Sequence, residues 1–183
     1  MASGAQAATI VVKNDTQYDT NPTNGTADRG DLTCTACQVI QYNPTTFSFA
    51  TDFGELFRGP SNSGAASEAA WVNSVLGTSF TGANVTAGKV TPVGAGKLAT
   101  FVTTALYIVL KIGENPDYTI IKNTSATGSM EWFWRGRDGQ GAGLSHFVNL
   151  GTAPSTVPVP AAGFLLLGAL GGLAMVRRRR KTA

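Results

Sequence analysis

Apolar and polar residues alternate, in part, with a period of two over a series of short runs: "ATIVVK" (8–13), "CQVIQYN" (37–43), "TFSFAT" (46–51), "LATFVTTALYIVLKI" (98–112), "YTIIK" (118–122), "SMEWFWR" (129–135) and "SHFVNL" (145–150). A period of two puts successive side chains on opposite faces of a strand. Gly, Pro, Asn and Asp cluster between the runs, as they do in turns. The run at 98–112 is too long for one ordinary strand and breaks in two around Thr103-Thr104. About seven or eight short strands spaced this way predict an all-β fold, an antiparallel β-sandwich.

One segment has a different period. In "SGAASEAAWVNSVLGT" (63–78), Ala69, Val72, Val75 and Leu76 fall at helical spacing, and Gly77 suits the position just past a helix end. This predicts one short amphipathic helix lying on the sandwich.

The chain's last segment changes character again. Ala161 to Val176 is sixteen residues without a charge, a helix ~24 Å long. Extended back to Val157 it reaches about 30 Å, the thickness of a bilayer's hydrocarbon core. Pro158 and Pro160 then sit in the first turn, where a missing N–H matters little. Arg177, Arg178, Arg179, Arg180 and Lys181 follow, and the positive-inside bias holds them on the cytoplasmic side. That orientation places the rest of the chain outside the membrane and requires an N-terminal export signal. Ala5-Gln6-Ala7 has the small-x-small pattern of a signal-peptidase site, but no apolar stretch precedes it. Residues 1–8 are therefore read as a remnant of a signal peptide or a disordered start. Residues 9–152 are the β-sandwich ectodomain, 153–160 a Pro-containing linker and sorting motif, 161–176 a transmembrane helix and 177–183 a basic cytoplasmic tail. A permanent anchor is the alternative for the tail, with Gly168 and Gly172 at the spacing that packs membrane helices.

The charge balance reads differently once the tail is set apart. The formal charge is +3, from fourteen Lys and Arg against eleven Asp and Glu. Without the five tail cations, nine remain against the eleven acids, a balance of −2. Those nine are scattered and form no basic stripe of the kind that tracks a phosphate backbone, so nucleic acid is not an expected partner.

The tail "VPVPAAGFLLLGALGGLAMVRRRRK" resembles the PEP-CTERM class of C-terminal sorting signals, in its Val-Pro-x-Pro-Ala variant. Val157, Pro158, Val159, Pro160 and Ala161 stand where that motif lies, Phe164 to Val176 match its membrane segment, and Arg177 to Arg180 its basic cluster. Residues 158–160 read Pro-Val-Pro where the commoner form has Pro-Glu-Pro, which bears on which enzyme processes the tail. The resemblance implies an exported protein of a Gram-negative bacterium, whose tail the membrane protease exosortase removes on the way to the cell surface or extracellular matrix. It extends into the ectodomain at "SEAAWVNSVLGT" (67–78), "LYIVLKIG" (106–113) and "GLSHFVNLG" (143–151), which are similar to an acidic-x-x-Trp helix preceding strands that end in a Leu-Ser-His element. It implies no defined enzymatic activity.

Candidate chemistry in the ectodomain is sparse. Cys34 and Cys37 form a CxxC, but zinc needs further ligands and His146 is the only histidine. A thioredoxin-like role needs a βαβ context, so a local disulfide in an oxidising envelope is expected. His146 is expected to be a structural histidine at a strand end, since Ser145 at the adjacent strand position would face the other way. Trp132 and Trp134 share one face of their strand and carry the alternative of polysaccharide stacking, against core packing. Asp15, Asp19, Asp28 and Asp31 lie in a stretch read as a solvated loop that matches no calcium-loop spacing, and Arg29-Gly30-Asp31 is turn-compatible. No metal or other cofactor is expected. The expected function is a non-enzymatic surface or matrix protein, of structural or interaction type, with an exosortase-like enzyme and the membrane as partners. The alternatives are a carbohydrate-binding module and a self-associating building block whose exposed strand edges pair.

Overall fold

A computed structural model describes residues 7–14, 28–60, 62, 64–91, 98–113, 118–125, 128–134 and 144–152. Among them are eleven strands and two helices: β1 (Ala8–Asn14), β2 (Asp28–Cys34), β3 (Cys37–Asn43), β4 (Thr46–Ala50), β5 (Phe53–Leu56), α1 (Ala65–Leu76), α2 (Gly82–Gly88), β6 (Lys89–Val90), β7 (Leu98–Thr103), β8 (Tyr107–Ile112), β9 (Tyr118–Asn123), β10 (Gly128–Trp134) and β11 (Leu144–Leu150). They build a five-stranded sheet in the order β5-β1-β2-β10-β7 and a six-stranded sheet in the order β4-β3-β9-β8-β11-β6. All pairings are antiparallel except β1 with β5, which run parallel.

The alternation explains how the sheets meet. Ile10, Val12, Leu32 and Trp132 from the first sheet interleave with Val39, Ile108, Leu110, Ile112 and Ile121 from the second in one buried core. The other face of the second sheet is apolar as well. Ile40, Val109, Tyr118, Ile120, Val148 and Leu150 pack there against Ala69, Val72 and Val75 of α1 and Val85 of α2. The molecule thus has three layers, with the six-stranded sheet in the middle and buried on both faces. Near-continuous apolar runs such as "YIVLKI" in β8 follow from that position.

Several expectations are corrected. The stretch read as a solvated loop, residues 14–31, runs into β2 at Asp28, and β2 is a central strand of its sheet. Its inner positions are Gly30, Leu32 and Cys34. Gly30 is there because the Trp132 indole lies over it: a Cβ would come within 2.7 Å of the ring. Arg29-Gly30-Asp31 is therefore strand and not turn. The strands number eleven instead of seven or eight, and β5, with Gly54 and the buried Glu55 among its four residues, has no readable alternation. A second helix, α2, starts at a capping box in which the Thr81 Oγ1 accepts from the Asn84 N–H and the Asn84 Oδ1 accepts from the Thr81 N–H. The predicted α1 ends at Gly77, whose φ of 65° is the left-handed geometry of a helix C-cap.

The chain passes from one sheet to the other seven times, and at two places the sheets are tied together. At the first, Cys34 ends β2 and Cys37 begins β3, and the two lie at disulfide distance with Cα atoms 6.0 Å apart. At the second, Phe57 follows β5 and exchanges backbone hydrogen bonds of 2.7 and 3.1 Å with Tyr118 of β9. Among the described residues no helix is long and apolar enough to cross a membrane. The predicted segment 161–176, with the linker before it and the basic tail after it, lies outside the described residues.

Because both cores are built from described elements ending at Leu150, residues 9–152 without the tail should melt cooperatively and give a β-dominated circular dichroism spectrum. Replacing Cys34 and Cys37 with Ser should lower the unfolding free energy by about 2 kcal/mol, the chain-entropy value for so short a loop. Denaturant titration with unchanged slope would show it.

Candidate functional site

A group of interacting ionisable side chains lies under α1. Glu68 sits in the first turn of that helix and is only 1% exposed. Its position follows from helical spacing: residues 68, 72 and 75 share one stripe, so the carboxylate descends with Val72 and Val75 onto the six-stranded sheet. There its Oε1 accepts a 2.8 Å hydrogen bond from the Tyr118 hydroxyl of β9 and a 2.9 Å contact from His146 Nε2 of β11. An ionised carboxylate only accepts, so Nε2 carries the hydrogen. Lys89 brings its Nζ to 3.9 Å from Oε2, which has no hydrogen-bond partner.

The sheet register aligns these partners. Tyr118, Lys111 and His146 form one cross-strand row over β9, β8 and β11, and the Lys111 Nζ lies 5.2 Å from the centre of the Tyr118 ring. Trp71, one helical turn on from Glu68, rests on the same ring with centroids 5.2 Å apart. The segments 67–78, 106–113 and 144–151 therefore converge around Tyr118.

His146 is buried near the start of its strand, and its neighbour is not where a regular strand would put it. The register with β8 shifts between Leu144 and His146, leaving Ser145 as an extra residue in a β-bulge. The bulge brings the exposed Ser145 Oγ to 3.4 Å from His146 Nδ1 instead of turning it to the far face. Carboxylate, imidazole and hydroxyl thus stand in a line. The hydroxyl step exceeds the ~2.6–3.2 Å over which a base takes a proton. The arrangement clamps the imidazole at its Glu68 end and leaves Ser145 loosely held.

Burial pushes the Glu68 carboxyl up, but hydrogen bonds from His146 and Tyr118 and the charges of His146 and Lys89 outweigh it and hold the group below its ordinary value of 4.5. The chemistry on offer is a buried, ionised latch between helix and sheet.

No family model, curated protein or solved structure matches this chain. The role of the cluster therefore rests on its own geometry.

The other singled-out residues are dispersed. Trp132 is in the core at 1% exposure, which removes it as a platform for sugar stacking; the side chain of Trp134 lies outside the described residues. Cys34 and Cys37 border an open recess of about 270 Å³ at one end of the sandwich, together with Thr35, Gln38, Thr51 and Thr124. Asp31 is on β2, while Asp15 and Asp19 lie outside the described residues. Among the described residues no group of three His, Cys, Asp or Glu side chains is placed to hold a metal ion. Val157 to Ala161 and Arg177 to Lys181 lie outside the described residues. Glu68 was the functional residue missed in the sequence, where an acid in phase with Val72 and Val75 on an Ala-rich helix was the signal for it.

Replacing Glu68 with Ala leaves His146 and Tyr118 buried against an empty site and should lower stability by about 3–5 kcal/mol near neutral pH. Since the folded value is depressed, the carboxylate's contribution is full above 4.5 and is lost as the pH falls from there through the folded value. Denaturant melts over that range should show a slope in the wild type that Glu68→Gln lacks.

Proposed function

We propose that this is an exported bacterial surface or extracellular-matrix protein of non-enzymatic, structural or interaction type, whose C-terminal segment is a sorting signal processed by an exosortase-like membrane protease. The observation that carries the reading is the order of elements at residues 157–181: a Pro-Val-Pro motif, an apolar run long enough to span and a block of five cations. Its support from the domain is indirect. Among the described residues the last strand ends at the buried Leu150, and Gly151 follows it with φ 66°, so both described cores are built from residues that precede the tail. The ionisable side chains grouped under α1 are spent on one another, in keeping with a scaffold. A disulfide at the sheet crossover suits an oxidising compartment. The protein would be held in the inner membrane during transit and then reach the cell surface or the extracellular matrix. The carbohydrate-binding alternative has lost Trp132 and gained no other observation.

Membrane arrest and processing should separate by mutation. With Pro158 and Pro160 replaced by Ala, the chain should still insert but remain full-length in the membrane fraction, because the extended Pro backbone is lost. Neutral residues at Arg177 to Arg180 should weaken retention and orientation. Intact mass of the wild type from its host should place the mature C-terminus near residues 156–163. A wild-type protein that keeps Lys181 and stays in the membrane is permanently anchored, and the sorting reading is then wrong.

A further inference from the structure

We infer that β7 is a self-pairing edge, through which two copies of this chain join antiparallel into one continuous ten-stranded sheet. The sheet edges differ. On the helix-backed sheet, β6 is only two residues long and carries Lys89, and β4 sets Phe47 and Phe49 against Phe57 and Tyr107. On the other sheet, β5 turns into the Phe57–Tyr118 bridge that closes the sandwich. β7 ends that sheet on the opposite side and, among the described residues, pairs only with β10. Its six residues, "LATFVT", contain no charge and no Pro, the devices that usually blunt an edge. Leu98 is 52% exposed, Val102 67%, and Phe133 beside them on β10 42%.

The sequence of the edge selects a second copy as its occupant. Antiparallel pairing centred on Thr100 sets Leu98 of each copy opposite Val102 of the other, and Thr100 opposite Thr100. Phe133 already pairs with Leu98, so each half of the seam becomes an apolar row of Phe133, Leu98 and the other copy's Val102 on the outer face. Glu131, which pairs with Thr100, ends up three strand spacings from its twin, about 14 Å. That exceeds the screening length of ~8 Å at physiological salt, so the like charges do not oppose the contact. The pairing is isologous and consumes the edge, so it yields a closed dimer and not a filament. One strand about 20 Å long falls short of the ~800 Å² per partner of a stable interface, so the dimer is concentration-dependent. The inference concerns the domain alone and is independent of how the tail is processed.

Cysteine crosslinking of the full-length chain in the envelope of its host tests the contact and its register. Thr100→Cys puts the two new thiols directly opposite each other, with Cβ atoms about 5 Å apart. Val102→Cys places them four residues apart along the strand, ~13 Å. The double variant Leu98→Cys with Val102→Cys reads the same register without touching Thr100. Under mild oxidation, we expect a crosslinked dimer from Thr100→Cys and from the double variant, and roughly tenfold less from Val102→Cys alone. Equal crosslinking in all three reports random collision and overturns the proposal. Crosslinking in none, as would follow if another segment or protein covered β7, overturns it too.

Discussion

A carboxylate buried beneath a helix is the constraint on which the middle of this structure turns. Isolated in a core, Glu68 would be several kcal/mol unfavourable. It is tolerated because two donors converge on one oxygen from strands on either side of β8, Tyr118 from β9 and His146 from β11. Apolar contacts alone would let α1 slide over the sheet, since they are not directional. A charged acceptor that must meet two fixed donors sets the helix at one height and one rotation, and Val72, Val75 and Ala69 then fall on Val109, Ile120 and Val148. The bulge at Ser145 belongs to the same constraint, because it marks where β11 shifts register to present His146 on the helix side.

That layer also explains which parts of the fold were legible. Eight of the eleven strands announced themselves by alternation or by apolar runs, and α1 by its period and by Gly77. Each owes its pattern to one dominant local requirement, a buried face. The elements that escaped are those in which tertiary demands replaced the pattern. β2 reads as loop because Gly30 makes room for the Trp132 ring and because Asp28, Arg29 and Asp31 interrupt its apolar positions. β5 is four residues long with Glu55 buried, and α2 is a seven-residue helix with one buried side chain, Val85. The Glu68–His146 contact joins residues 78 apart in the chain, and no local period reports on such a pair.

The same division separates the domain from its tail. Everything that alternates is used in two cores that close by Leu150, while the apolar run after Ala161 follows no strand period and ends in cations. A segment of that kind shares no period with the sandwich. At the other extreme of the fold, β7 keeps its period yet leaves its outer apolar positions in solvent. It is the one long edge where the pattern of a buried strand continues without a neighbour among the described residues.

The central claim is that Glu68 is ionised inside the core and holds α1 to the sheet in that state. Carboxyl carbon NMR across an acid titration, with Glu68 assigned by comparison with Glu68→Gln, measures this directly. The Glu68 signal should keep the shift of the carboxylate as the pH falls to 4.5 and change only below it, together with the Tyr118 and His146 ring signals. A Glu68 carboxyl that takes up its proton above 4.5 while those rings stay unchanged would mean that burial has won over its partners, and the latch would not exist.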